Sequence, residues 1–352
     1  MSRVDVVVPC YNYARYLRRS VESALSQSGV DVRVLIIDDT SSDETPEVGR
    51  QLADVDPRVE FRRHEVNRGH IATYNEGLLE WASAEYSLLL SADDALVPGA
   101  LRRATELMDR NQDVVMTYGL AIMAQDLDLA HVDPVTHVNE ESQVLTSAQF
   151  LRRCCSHGNP VPTPTAVTRT AIQHAIGGYR PYLPHSGDME MWMRFAANGS
   201  IGVVRAVQAL YRKHDTNMSH QYHSAQLGDR REVIQACEEF FSKWGGRFPD
   251  ADEWLRAGRV RICDSALGTA TWAFDVGDRE QALACFRFAE EIYPSVRWSN
   301  PWLRLRVKLA VGNAVWRKVS PVLGFVRTFG MTRDDSSTGT GSSSKLIGWW
   351  PA

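Results

Sequence analysis

Two pairs of adjacent aspartates carry the first chemical signal in this 352-residue chain. Asp38-Asp39 closes the run Val32 to Ile37, and Asp93-Asp94 follows the run Tyr86 to Leu90 after a Ser91-Ala92 step. Short apolar runs without alternation read as strands buried on both faces of a sheet. Acids at the carboxyl ends of such strands stand where open α/β sheets bind ligands. Two neighbouring carboxylates at the edge of a core are costly unless a cation or hydrogen-bond donors compensate them. The stretch LLLSADD therefore asks for a hard metal ion, Mg²⁺ or Mn²⁺, which prefers carboxylate oxygen, or for a helix N-terminus, with the helix opening near Pro98 as the candidate for Asp94. His220 and His223 form an HxxH pair, but no carboxylate stands at ligand spacing, so a polar helix lead-in is the better reading than a zinc site.

The elements that must position these acids alternate. Val4 to Val8, β-branched and stopped by Pro9, is the first strand. Leu17, Val21, Ala24 and Leu25 recur at helical spacing between Tyr13 and Ser28. Ser41, Ser42 and Asp43 supply the cap of a second helix. Val59 to Arg63 is a third strand, and a helix is expected from about 71 to 82 after Asn67-Arg68-Gly69. A helix over 98–109 and a fifth strand over Val114 to Tyr118 complete a βα pattern, which implies a mostly parallel sheet. A dinucleotide fold would carry GxGxxG after the first strand, where this chain has Pro9-Cys10-Tyr11-Asn12, and no GxxxxGK[ST] loop is present. Phosphates would thus be handled by metal and side chains rather than by a glycine cradle.

Composition is that of a soluble globular protein, with 44% hydrophobic and 23% charged residues. A net charge of −4 gives no reason to expect nucleic acid as a partner. The six cysteines, at 10, 154, 155, 237, 263 and 285, form no CxxC pair and favour a reducing, cytoplasmic setting. No signal peptide is evident after Met1, and no apolar run approaches the ~20 residues that span a bilayer.

The segments VVVPCYNYARYLRRSVESALSQ, LIIDDTSSDET, NRGHIATYNEGL, LLLSADDALVPGAL, GGYRPYLPHSGDMEMWMRFA and YRKHDTNMS resemble, in order, the motifs of glycosyltransferase family 2. The resemblance covers roughly residues 1 to 220. It implies an α/β fold of the GT-A type and an inverting, metal-dependent enzyme that uses a nucleotide-sugar donor, with UDP- or dTDP-sugars the usual choice. It also implies roles. Pro9, Tyr11 and Asn12 match the first nucleotide-contacting loop, and Asp39 matches the residue that hydrogen-bonds the base. Arg68 offers a cation to a phosphate or base edge. Ser91, Ala92, Asp93 and Asp94 stand at the Asp-x-Asp-Asp metal motif, with Asp93 as metal carboxylate, Ser91 in place of the first acid, and Asp94 either capping the helix near Pro98 or facing the donor sugar. His214 matches a late histidine that reaches metal or diphosphate. Asp188 matches the catalytic base in a segment where Gly187 replaces a frequent glutamate; Asp188, Met191 and Trp192, at i, i+3 and i+4, would share a helix face turned to the site. Glu190 is then the structural acid and the rival base.

Beyond these motifs the chain changes character. The segment from about 124 to 156 is polar and irregular, and Asn159 to Thr165 is expected as an extended loop beside the acceptor pocket, with Cys154-Cys155 as packed thiols. From about 227 to 293 small and bulky residues, Ala266 to Ala289 closed by Pro294, resemble one tetratricopeptide-like hairpin that packs on the catalytic domain or mediates self-association. Between 297 and 333 basic residues and tryptophans interleave without an acid. That stretch fits either a helix packed on the domain or peripheral contact with an anionic membrane face. The Ser/Thr/Gly-rich tail from Asp334 is expected to be disordered, and the sequence does not explain its Trp349-Trp350 end. The expected organisation is a catalytic domain over 1–222, a helical extension over 223–296, a basic segment over 297–333 and a tail over 334–352. The reading is a glycosyltransferase acting on a glycan, lipid-linked or small-molecule acceptor. Its rival is a catalytically degenerate scaffold that binds nucleotide sugar and works through its helices.

Overall fold

A computed structural model describes residues 1–124, 141–214, 217, 226–316 and 345–349. His220 and His223 lie outside the described residues. The first half builds the expected βα units: β1 (Ser2–Cys10), α1 (Ala14–Leu25), β2 (Val30–Asp38), α2 (Thr45–Val55), β3 (Val59–Arg63), α3 (His70–Asn75) and β4 (Tyr86–Leu89). β1 pairs in parallel with β2 on one side and with β4 on the other, and β2 with β3. Alternation then sorts the valines of β1 into two cores. Val4, Val6 and Val8 meet Leu17 and Val21 of α1, whereas Val7 faces Leu78 on the opposite side.

Pro9 does not stop β1, contrary to the sequence expectation; it pairs with Ile37 inside the strand. In a parallel strand the N–H and C=O of one residue point the same way. Val7 O accepts from Leu90 N on the β4 side, and Cys10 O accepts from Asp39 N on the β2 side. Pro9 therefore presents its missing donor toward the β4 lane just past Leu89, where that strand has ended.

The expected single helix over 71–82 is two pieces. After α3, residues Glu76–Trp81 widen into a π-turn, closed by Ala82 N donating to Gly77 O. A Cβ on Gly77 would stand 2.2 Å from Val7 Cγ1, so this turn lies directly on β1.

The second half reverses direction several times. β5 (Ala95–Leu96), α4 (Ala100–Arg110), β6 (Val114–Ala124), β7 (Ser142–Leu145), α5 (Ser147–His157), β8 (Val167–Arg169), α6 (Thr170–Ile176), α7 (Gly187–Ala196) and β9 (Ser200–Arg212) give the sheet order β3-β2-β1-β4-β8-β6-β9-β5. The supposedly irregular stretch 124–156 contains β7 and α5. A complete capping box at Thr146 and Gln149 starts α5, and Phe150, Leu151, Cys154 and Cys155 bury its inner face. Residues 125–140 lie outside the description.

The helices α8 (Gln226–Trp244), α9 (Ala251–Val276), α10 (Arg279–Ile292) and α11 (Asn300–Val311) follow. Phe240 and Trp254 share the core of α5 and α7, and Gly277 at φ +95° turns α9 into α10. Trp302, Leu305 and Leu309 of α11 pack on that hairpin.

The tail expected to be disordered is ordered where it is described. β10 (Lys345–Ile347) runs antiparallel to β6 at Ala121–Met123, and Trp349 packs on the core with its N–H donating to Pro160 O. Arg153 lies over the Trp349 ring at 5.1 Å. Three backbone pairs and one aromatic anchor outweigh the polar composition that suggested disorder.

Candidate active site

A cleft of about 810 Å³ opens at the carboxyl ends of β1, β2 and β4, within the size range of small-molecule sites. Pro9, Tyr11, Asn12, Asp39, Ser91, Ala92, Asp93, Asp94 and Asp188 all line it. Arg15 is the sole arginine or lysine among the described lining residues. Four carboxylates thus face one guanidinium.

The Ser91–Asp94 stretch is a tight turn, with Asp94 N donating to Ser91 O at 3.0 Å and Ser20 Oγ donating to the same carbonyl at 3.2 Å. Asp93 and Asp94 are both buried, and they take different partners. Asp93 Oδ2 lies 3.1 Å from His214 Nε2 and accepts from Asn217 Nδ2 at 3.1 Å. Asp94 Oδ1 accepts the backbone N–H of Arg212 at 2.9 Å, and Arg212 Nε returns a bond to Asp93 O at 3.1 Å. Asp94 therefore fastens the end of β9 to the turn and caps no helix; α4 begins after Gly99, at φ +75°, with no side-chain cap. His214 stacks on Tyr16 at 5.1 Å and meets Tyr13 edge-on at 5.3 Å, which fixes its ring over Asp93.

Burial holds both carboxyls above the usual range, Asp94 further because Asp93 repels it; His214 and Arg212 oppose this only in part. Excess buried negative charge of this kind fits a divalent cation. Asp93 and His214 supply a carboxylate oxygen and an imidazole nitrogen within reach of one another, and no cluster of three or more His, Cys, Asp or Glu side chains forms a complete cage among the described residues. That donor set suits a hard ion that brings water and phosphate oxygens as its remaining ligands.

At the other end of the cleft, Asp39 organises the loop after β3. Its Oδ1 accepts from Arg68 N at 2.8 Å and meets His64 Nδ1 at 2.7 Å, while Oδ2 accepts Gly69 N at 2.8 Å. Asp38 takes the turn role, accepting Ser41 N at 2.9 Å. Asn12, at φ +59°, accepts from Ser42 N at 2.8 Å, and its own N–H donates to Ser41 Oγ. Thr40 also has positive φ, +66°, and its hydroxyl donates to His64 O. Strain at two non-glycine residues in facing loops is the kind stored at functional sites. The Arg68 side chain is not among the lining groups; it pairs with Glu76 at 3.1 Å.

Asp188 sits in the first turn of α7. Thr163 Oγ1 donates to its Oδ2 at 2.6 Å, and the Tyr179 hydroxyl lies against it. Desolvation raises its carboxyl above the ordinary range, while Thr163, Tyr179 and the nearby His70 pull it part of the way back. Met191 and Trp192, expected to face the site with it, are buried in the core instead, because α7 is enclosed on nearly every side. Glu190 is committed elsewhere, bound to Arg194 Nε at 2.8 Å. Arg194 also donates to the carbonyls of Ile176, Gly177 and Gly178, the segment leading to Tyr179.

Sequence reasoning gave no part to Arg15, Tyr16, His70, Thr163, Tyr179 or Asn217. Tyr179 lay within GGYRPY, His70 within NRGHIATYNEGL and Thr163 within a loop already expected beside the pocket, so all three had a signal.

The model of the family described as "Glycosyl transferase family 2" matches residues 5–174. An uncharacterized glycosyltransferase of Rickettsia typhi is 23% identical over 246 residues, 69% of this chain and 70% of the relative. The succinoglycan biosynthesis protein ExoO of Rhizobium meliloti is 35% identical over 142 residues, 38% of this chain and 40% of that protein. Among solved structures, S. aureus TarS 1–349 in complex with UDP-GlcNAc is similar over 85% of this chain and 93% of that one, at 18% identity and a TM-score of 0.50. That likeness concerns the fold alone, which is GT-A with a helical C-terminal part.

Proposed function

We propose that this chain, which the family 2 glycosyltransferase model matches over residues 5–174, acts as a member of that family and moves a sugar from a nucleoside-diphosphate donor to an acceptor hydroxyl by one inverting displacement. The observation that carries this reading is a single cleft with Asp39, Asp93 and Asp188 on its walls and His214 bonded to Asp93. Asp93 and His214 would hold Mg²⁺ or Mn²⁺. A cation bound there would act as a Lewis acid on the departing diphosphate. Arg15 lies on the same wall and supplies a further positive charge to the phosphates. Pro9, Tyr11 and Asn12 border the base and ribose together with Asp39, whose Oδ2 accepts one bond in the structure and has room for another.

Asp188 takes the proton of the acceptor hydroxyl as that oxygen bonds the anomeric carbon. The bond from that carbon to the phosphate oxygen breaks on the opposite face, and the nucleoside diphosphate leaves. A carboxyl raised by burial, oriented by Thr163 and Tyr179, suits a general base near neutral pH. Glu190 is a poor rival, since its carboxylate is already consumed by Arg194. The acceptor remains a glycan, a lipid-linked sugar or a small molecule.

The decisive experiment is hydrolysis and transfer across a panel of nucleotide sugars, with and without Mn²⁺. UDP-GlcNAc is the first donor to assay, in view of the TarS complex. Metal-dependent turnover with inverted product supports the reading. Product of retained configuration refutes the mechanism, and donor binding without turnover would favour the scaffold.

A further inference from the structure

From the outward face of α11 we infer a docking surface for an anionic lipid membrane. A helix that merely packs on its domain needs one apolar stripe, and α11 has that in Trp302, Leu305 and Leu309, all buried. It carries a second one. Leu303, Val307 and Val311, spaced i, i+4 and i+8, are 43%, 52% and 40% exposed, and Val315, beyond the Gly312 break that ends the helix, is 51% exposed. Trp298, two residues before the helix, is 87% exposed. Single exposed apolar residues are ordinary on soluble proteins, whereas an aligned row with a tryptophan at its end is a surface awaiting a partner.

Charge selects the partner. Residues 297–316 contain Arg297, Arg304, Arg306 and Lys308 and no acid. Arg297 pairs with Glu290 and Lys308 with Asp275 on neighbouring helices. Arg304 and Arg306 are exposed and make no ion pair among the described residues, although Arg306 lies over the Trp302 ring at 5.2 Å. Apolar side chains flanked by unneutralised arginines, with tryptophan at the margin, match a helix lying in the plane of an anionic lipid interface. A second copy of the chain would set these arginines against each other and is the poorer occupant. No described helix is long and apolar enough to cross a membrane, so contact would be in the plane of the surface.

The test is co-sedimentation of the full chain with vesicles of phosphatidylglycerol and phosphatidylcholine, against phosphatidylcholine alone, with no donor present. The wild type is expected to pellet with the anionic vesicles and to be released by high salt. Leu303→Gln with Val307→Gln should weaken partitioning at least about tenfold, and Arg304→Gln about fivefold. All three positions are exposed, so unchanged melting temperatures are expected and would separate lost binding from lost folding. Wild type left in the supernatant overturns the inference, as do variants that pellet equally. A wild-type dimer that becomes monomeric in the Leu303/Val307 variant would assign the face to self-association and overturn it as well. Because no activity is read, failure here leaves the proposed transfer reaction untouched.

Discussion

Replacing Asp188 by Asn should uncouple stability from turnover in opposite directions. The amide keeps the shape of the side chain, and its oxygen can still accept from Thr163 Oγ1, now 2.6 Å from the carboxylate. What it loses is the ability to take a proton. General-base catalysis contributes roughly 10²- to 10⁴-fold, or about 2.7–5.5 kcal/mol of barrier at 1.36 kcal/mol per tenfold, so kcat for transfer should fall by that range. Stability should move the other way. Burial raises the Asp188 carboxyl in the folded protein. Its favourable contribution is thus complete below the ordinary aspartate range and is lost as pH climbs from there through the raised folded value. At neutral pH the ionised side chain is a burden that Asn removes, and the melting temperature should hold or rise. The same shift puts the acid limb of the kcat/KM profile above the ordinary carboxylate range, and Thr163→Val, by deleting a donor that favours the anion, should move that limb to still higher pH. The assay is product formation, corrected for donor hydrolysis, beside thermal melts across pH. Transfer within a few fold of wild type in Asp188→Asn would refute the assignment of the base.

Other perturbations separate the remaining roles. Chelation should abolish turnover and Mn²⁺ should restore it, and Asp93→Asn should require much more metal for half-maximal rate; a rate indifferent to chelator would remove the cation from the mechanism. Arg15→Ala should raise the donor KM about tenfold or more, the cost of one charge-assisted bond, whereas Arg68→Ala, which loses only an exposed ion pair to Glu76, should change it little. Arg194→Leu strands Glu190 and three carbonyls in the core. A loss of about 3–5 kcal/mol is expected in denaturant titration, with reduced kcat because Tyr179 follows that segment.

The strand ends carrying Asp39 and Asp93 were legible because period and turn chemistry are local properties. Asp188 and His214 could be found only through the order of motifs, since a helix start 94 residues after Asp94 reaches the same cleft by tertiary folding alone. The partners of Asp188 show the limit. Thr163 and Tyr179 come from separate segments, and nothing in their spacing announces a shared carboxylate. Asp94 was misjudged for a related reason: a helix began nearby in sequence, but Arg212, 118 residues away, offered its N–H first. Pro9 was read as a stop because a proline removes a donor, and the sequence does not reveal that the neighbouring strand ends before that donor is needed. In the tail, composition argued for disorder while the open lane beside Ala121–Met123 favoured pairing.

The π-turn over Glu76–Trp81 constrains how this chain tolerates a change in length. One residue of a regular helix turns the chain by about 100°, so deleting a residue within the turn would restore ordinary hydrogen bonding at the expense of the angle between its two ends. Glu76, before the extra residue, meets His64 and Arg68 beside the Asp39 loop. Trp81, after it, donates to Glu60 at 2.8 Å, and Gly77 between them rests on Val7. A shortened helix could satisfy the first set of contacts or the second, never both. A segment that looks like the easiest place to lose a residue is therefore one where the loop around the Asp39 end of the cleft fixes the count.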